Sequence, residues 1–111
     1  MGGATQAEKN TVQNNSIGIQ LEGVGTVQQP ASVAGNVIQN NGGEGIVIRD
    51  GATVTIGGSI DGQANSILNN AGSGITLFDA STEVQISNNT IKKNITTVCG
   101  YKGRRPQSTA I

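Results

Sequence analysis

The sequence has little of what catalysis, metal binding and disulfide bonding ordinarily use. Its 111 residues include no histidine, no tryptophan, one cysteine, one phenylalanine and one tyrosine. Without histidine, the commonest catalytic base and metal ligand is missing. A single cysteine excludes an internal disulfide and a zinc site built from several cysteines. Seven Lys plus Arg balance seven Asp plus Glu, so electrostatics give no reason to expect a nucleic acid as a partner.

Long apolar runs are missing as well. No stretch approaches the roughly 18 apolar residues that span a bilayer, and the first ten residues have no apolar segment like that of a secretory signal. We therefore expect a soluble domain with no membrane partner. A length of 111 residues suits one domain rather than two.

Glycine, asparagine and β-branched residues are abundant, and they are arranged in a repeat. Four segments read Asn, any residue, Val or Ile, two variable residues, then Asn: residues 10–15, 36–41, 65–70 and 89–94. Their starts lie 26, 29 and 24 residues apart (10 to 36, 36 to 65, 65 to 89). A repeat of this length is typical of folds in which each unit buries its apolar face against the next unit.

Short alternating segments follow the repeated motif. A glycine and an alternating strand come after its first three copies, at residues 18–21, 45–48 and 74–77. A second alternating piece lies at residues 54–56 and 84–86, with a weaker counterpart at 31–33. Strands this short gain most stability when each pairs with the equivalent strand of the next repeat, parallel to it and about 4.8 Å away. We therefore predict an all-β fold, a parallel β-helix (solenoid) of about three to four short coils.

The same alternation predicts a core and two columns of asparagine. Side chains two residues apart in a strand face the same side. The predicted core comprises Val12, Ile17, Ile19, Leu21, Val33, Ile38, Ile46, Ile48, Val54, Ile56, Ile67, Ile75, Leu77, Val84, Ile86 and Ile91. The stacked asparagines are Asn10, Asn36, Asn65 and Asn89 in one column and Asn15, Asn41, Asn70 and Asn94 in the other. Amides in such columns can bond to each other and to the turn backbone.

The order Asn-x-Ile-x-x-Asn, Gly-Ile-x-Ile and Val-x-Ile-x-x-Asn resembles the repeats of right-handed parallel β-helix proteins, over residues 10–94. That superfamily includes pectate lyases, polygalacturonases, alginate epimerases and many bacterial surface proteins. The resemblance implies a right-handed β-helix, but it implies little about activity because one fold hosts many functions. Such relatives are mostly secreted or on the cell surface; this chain has no signal peptide pattern, so its location stays open.

We expect three segments along the chain. Residues 1–9 lead into the repeats, residues 10–94 form the β-helix, and residues 95–111 form a non-repeating, flexible, basic tail. Coils at the two ends of such a helix expose unpaired strand edges, which are templates for association. We therefore predict a homo-oligomer formed through open ends, or a chain that is part of a longer β-helix.

Three charged residues form the candidate site. Asp50 and Asp79 follow equivalent strands, and two carboxylates one coil apart can bind Ca²⁺ or share a proton. Both also fit ordinary turns, which is the interpretation we favour. Resemblance to pectate lyases would require an acidic calcium cluster with an arginine base, for which Arg49 is available. Glu22 and Arg49 are expected to form an exposed ion pair one coil apart.

Two functions follow from these observations. The first is a non-catalytic β-helix module, structural or adhesive or weakly carbohydrate-binding, which needs no cofactor and associates end to end. The alternative is a fragment of a polysaccharide lyase or epimerase acting on uronate polymers, with Asp50, Asp79 and Arg49 at its groove and Ca²⁺ as cofactor. Missing histidine and scarce aromatic residues to stack on sugars favour the first.

Overall fold

The computed structural model of the protein describes residues 9–60, 62–78, 83–96 and 98–100. Its regular structure consists of eleven short strands: β1 (Thr11–Gln13), β2 (Ile19–Glu22), β3 (Ala31–Val33), β4 (Val37–Gln39), β5 (Ile46–Arg49), β6 (Thr53–Gly57), β7 (Ser66–Leu68), β8 (Ile75–Leu77), β9 (Glu83–Ser87), β10 (Thr90–Lys92) and β11 (Val98–Gly100). Across these ranges, no helix is long and apolar enough to cross a membrane.

The strands form three parallel sheets that the chain visits in turn. Sheet A has the order β1-β4-β7-β10, sheet B has the order β2-β5-β8-β11, and sheet C has the order β3-β6-β9. Neighbouring strands in every sheet belong to successive repeats and run parallel, with Ile46 opposite Ile75 in sheet B. Successive windings therefore lie on each other, and the predicted parallel β-helix is confirmed.

Each strand of sheet A is followed by a residue in the left-handed backbone region. The φ angles of Asn14, Asn40, Asn69 and Lys93 are 63°, 55°, 56° and 60°. Asparagine visits this region more readily than other non-glycine residues, which accounts for three of these four positions. Lys93 has the same left-handed conformation although lysine lacks that preference. The backbone of the last coil therefore turns in the same way as in the earlier coils.

A glycine precedes each of the first strands of sheet B because the coils approach closely there. A Cβ atom added at Gly45 would lie 2.7 Å from the carbonyl oxygen of Gly74 and 2.9 Å from Cγ2 of Ile67. Both distances are shorter than real Cβ contacts allow. A glycine at this position therefore allows the backbone of the next coil to approach closely.

The core agrees with the prediction in the middle coils, and its residues are less completely buried in the first and last coils. Eleven of the predicted residues lie in the buried cluster, which also contains Ala52. Four more, Val12, Ile19, Leu21 and Ile91, are partly buried against that cluster. These four lie in the first and last coils, where a neighbouring coil covers one side only. Ile17 is half-buried and lies outside the cluster.

Strand pairing continues past residue 94. Strand β11 lies within the segment expected to be a flexible, non-repeating tail, yet it pairs in parallel with β8, with Val98 opposite Ile75. In sheet B, parallel pairing therefore extends to Gly100. The rest of the expected tail, residues 101–111, and residues 1–8 of the lead-in lie outside the described residues.

Candidate functional site

The first asparagine ladder lies where each coil enters sheet A. Asn65 donates its backbone N–H and its Nδ2–H to Oδ1 of Asn89, at 3.0 and 2.9 Å. Asn36 donates the same two groups to Oδ1 of Asn65, at 2.8 and 3.2 Å. Asn10 donates its Nδ2–H to Oδ1 of Asn36 at 3.1 Å. The ladder thus joins all four coils through one repeated arrangement.

The second ladder lies where each coil leaves sheet A. Asn41 donates its backbone N–H and its Nδ2–H to Oδ1 of Asn70, at 3.1 and 2.8 Å. Asn70 donates the same two groups to Oδ1 of Asn94, both at 2.9 Å. Asn15 donates its backbone N–H to Oδ1 of Asn41 at 3.1 Å. The predicted hydrogen-bonding columns of asparagine are confirmed.

The amides also bond to carbonyl groups of the preceding core strands. Nδ2 of Asn65 donates to the carbonyl oxygen of Val33 at 2.8 Å, and Nδ2 of Asn89 donates to that of Ile56 at 3.0 Å. Buried polar groups require such partners, and each bond contributes about 0.5–1.5 kcal/mol to stability. The asparagines therefore provide hydrogen-bond partners for the buried backbone groups at the corners of an otherwise aliphatic interior.

Both ladders run in one direction along the helix axis. Every amide–amide bond is donated by one coil to the Oδ1 atom of the following coil. Within the described residues, no donor reaches Oδ1 of Asn10 or Asn15, and no acceptor meets the backbone N–H of Asn89 or Asn94. The first coil therefore presents acceptors and the last coil presents donors. The spacing of the asparagines predicted the columns but carries no signal for this direction.

Two of the charged candidates, Arg49 and Asp50, lie at the carboxyl end of β5 in sheet B, on the outer surface. Nε of Arg49 is 3.4 Å from Oδ2 of Asp50, and the two side chains are 43% and 56% exposed. The guanidinium carbon of Arg49 lies 5.4 Å from the centre of the Phe78 ring. Glu22 is opposite Arg49 in the sheet but accepts a hydrogen bond from Gln20. In the described ranges Arg49 thus pairs with Asp50, and not with Glu22 as expected.

This cluster has the geometry of a surface ion pair. The Nε atom of Arg49 is shielded from solvent and has no hydrogen-bond partner among the described residues, so its contact with Asp50 lacks hydrogen-bond alignment. Exposed pairs of this kind contribute about 0–1 kcal/mol, and a cation over an aromatic face adds a similar amount. The common position of Arg49 and Phe78 after equivalent strands was a sequence signal for their contact.

Asp50 occupies a turn. Its φ angle is 59°, and Gly23, which follows β2 as Asp50 follows β5, has a φ angle of 58°. An aspartate tolerates this left-handed conformation better than most residues do. Asp79, its expected partner for Ca²⁺, lies outside the described residues, so the two-carboxylate site stays a prediction. Among the residues described, no three His, Cys, Asp or Glu side chains come together as a metal site would need.

A shallow cavity of about 160 Å³ lies beside sheet C. Its lining includes the apolar side chains of Val27 and Pro30 and the polar side chains of Thr53, Thr55 and Gln85. Val27 is 74% exposed, and its loop is closed by hydrogen bonds between Thr26 and Gln29 at 3.0 Å. The cavity thus combines an apolar wall with neutral hydrogen-bonding groups and no charge among these five residues.

The comparisons with known proteins agree with the fold. The model of a family described as a right handed beta helix region matches residues 1–91 of the chain. No curated protein and no solved structure gives a significant match. The match covers most of the chain and its description agrees with the three stacked parallel sheets, so the predicted right-handed helix is confirmed. The chain belongs to the right-handed β-helix family.

Proposed function

We propose that the chain is a non-catalytic, structural β-helix module that joins further coils end to end, either in a second copy or in a longer helix. The observation that carries this proposal is the one-way direction of both asparagine ladders. A ladder that runs one way leaves acceptors at one end and donors at the other. Each end therefore offers hydrogen bonds that another coil of the same kind can complete.

The apolar residues of the end coils support the proposal. Val12, Ile19 and Leu21 in the first coil and Ile91 in the last are only partly buried, whereas their equivalents in the middle coils, such as Ile46, are fully buried. Covering an end with another coil would remove this apolar surface from water, which stabilises the assembly. As far as the described residues go, the two end coils thus combine polar groups that lack a partner with core residues that are only partly buried.

Sedimentation equilibrium over micromolar to millimolar protein concentration tests the proposal. We expect the average mass to rise with concentration without reaching a plateau at the dimer. Raising the salt concentration should weaken the association little, because the joint is made by backbone, amide and apolar groups. A strict monomer throughout the range would contradict end-to-end joining by this chain.

A second candidate function is weak binding of neutral carbohydrate at the cavity beside sheet C. The apolar wall of Val27 and Pro30 suits the C–H face of a sugar, while Thr55 and Gln85 can bond to its hydroxyl groups. Titration with maltose, followed by NMR, tests this function. We expect millimolar binding that shifts the amides of Thr55 and Gln85 and is weakened in Thr55→Val, but not in the exposed control Thr90→Val. Equal shifts in all three proteins would contradict it.

A further inference from the structure

We propose that the joint is head to tail: the last coil of one copy receives the first coil of the next copy, with both asparagine ladders continued in register. This inference rests on the proposed end-to-end association and adds its direction. Asn89 of one copy would lie against Asn10 of the next, and Asn94 against Asn15. The partner is therefore a second copy of this chain, in one orientation.

The hydrogen bonds between neighbouring coils define what such a joint would contain. In the first ladder the bonds are reciprocal: Asn65 donates its backbone N–H to Oδ1 of Asn89 at 3.0 Å, and Thr90 returns its N–H to the carbonyl oxygen of Asn65 at 2.9 Å. At the joint, Asn89 would donate to Oδ1 of the next copy's Asn10. The next copy's Thr11 would return its N–H to the carbonyl oxygen of Asn89.

The opposite orientations do not offer these bonds. Two first coils facing each other would bring Oδ1 of Asn10 and Asn15 against the same atoms of the other copy, and acceptors do not bond to acceptors. Two last coils would likewise oppose the free N–H groups of Asn89 and Asn94. Either arrangement would also reverse the strands across the joint, whereas every described pairing is parallel. Head-to-tail stacking alone repeats the internal geometry.

Sheets A and B make this joint. In the part of the chain that the structure describes, sheets A and B each contain four strands and sheet C contains three, so β10 and β11 lie one level beyond β9. The next copy would place its β1 on β10 and its β2 on β11. Because the two surfaces differ, the contact is heterologous and leaves both outer ends open, which produces linear assemblies instead of a closed dimer.

An exposed column of sheet A allows the orientation to be tested. Gln13, Gln39, Leu68 and Lys92 occupy one register position, and Nε2 of Gln39 donates to Oε1 of Gln13 at 3.0 Å. In a head-to-tail joint, Gln13 of the next copy would follow Lys92 at the spacing of neighbouring strands, about 4.8 Å. Gln13 and Lys92 are both exposed, so charge changes there leave the core intact.

The experiment compares Gln13→Glu, Gln13→Lys and the control Ser59→Lys, at an exposed position in the loop after β6, by sedimentation equilibrium at low salt. Opposite charges across a strand pair attract and like charges repel. We expect Gln13→Glu to strengthen association by about two- to fivefold and Gln13→Lys to weaken it by a similar factor. Ser59→Lys should match the unchanged protein.

Reversing the partner charge completes the test. Adding Lys92→Glu to Gln13→Lys should restore association, whereas adding it to Gln13→Glu should weaken association. Association that persists but ignores the charges at both positions would overturn the head-to-tail orientation and leave the proposed end-to-end function standing. No association by any of the proteins, including the unchanged one, would overturn both.

Discussion

Asn41 donates both its backbone N–H and its side-chain Nδ2–H to a single atom, Oδ1 of Asn70, at 3.1 and 2.8 Å. Both residues are almost completely buried, at 2% and 3% exposure. The same two-donor arrangement repeats between the next coils and in the other ladder. Each asparagine therefore completes the hydrogen bonds of the coil before it, which explains why this residue recurs at fixed positions of the repeat.

Replacing Asn65 with alanine should destabilise the protein strongly. The substitution removes Oδ1, the acceptor shared by two donors of Asn36, and Nδ2, the donor to the carbonyl oxygen of Val33, in a corner that is fully buried. Because buried unsatisfied groups cost about 1–3 kcal/mol each, we expect the free energy of unfolding to fall by about 3 kcal/mol. Urea unfolding measures this change. The control Asn15→Ala, at an exposed position of the first coil, should cost a few tenths of a kcal/mol; equal losses would contradict the ladder account.

The Asn41–Gly42 bond should resist deamidation while the protein is folded. Deamidation begins when the backbone nitrogen of Gly42 attacks Cγ of Asn41, which closes a succinimide ring and expels ammonia. In the fold, Gly42 N–H donates to the carbonyl oxygen of Asn15 at 2.7 Å, and the Asn41 amide is bonded to Asn70. Peptide mapping by mass spectrometry after incubation should find Asp and isoAsp at position 41 in urea but not in buffer. Equal conversion in both would contradict the described geometry.

Lys93→Asn should stabilise the last coil. Lys93 has a φ angle of 60° at the corner where the earlier coils have asparagine, and a lysine in this conformation is strained relative to asparagine. We expect the free energy of unfolding to rise by about 0.5–1 kcal/mol. The neighbouring control, Lys92→Asn, removes the same charge from a strand position and should give no such gain. Equal effects of the two variants would assign the change to charge instead of backbone conformation.

Calcium should leave the stability of the protein unchanged. Asp50 occupies a left-handed turn and is paired with Arg49 at 3.4 Å, and the non-catalytic module that we propose would need no metal. Any ion that binds the folded state alone would raise the melting temperature, so thermal unfolding with and without CaCl₂ measures this directly. A rise in melting temperature that disappears in Asp50→Asn, together with unsaturated products from uronate polymers, would instead support the lyase alternative.

The fold could be predicted from the sequence because every coil of a β-helix repeats the same local pattern of residues. Period-two alternation and the spacing of the asparagines fixed the register, so Ile46 lies opposite Ile75 as predicted. Burial was less predictable, because alternation tells which side of a sheet a residue faces and not what covers it. Val47 faces away from the core, yet it is only 2% exposed between Gln20 and Thr76 in its column.

The surface of the candidate site was harder to predict for an energetic reason. Arg49 had two carboxylates within reach in sequence and register, Glu22 and Asp50, and exposed pairs differ by less than about 1 kcal/mol. The pairing of Arg49 with Asp50 and not with Glu22 therefore depends on local side-chain packing that no repeat pattern encodes. The direction of the ladders could not be predicted from the sequence either, since a column of asparagines has the same spacing whichever way its hydrogen bonds run.

Hydrogen-bond scalar couplings in NMR test the one-way ladder most directly. In a uniformly ¹⁵N,¹³C-labelled sample, we expect a coupling between the backbone nitrogen of Asn65 and the side-chain carbonyl carbon of Asn89, and another from Asn41 to Asn70. The reverse couplings, from the nitrogen of Asn89 to the side chain of Asn65, should be undetectable. Reverse couplings, or none at these pairs in a folded sample, would contradict the directional ladders on which the proposed joint depends.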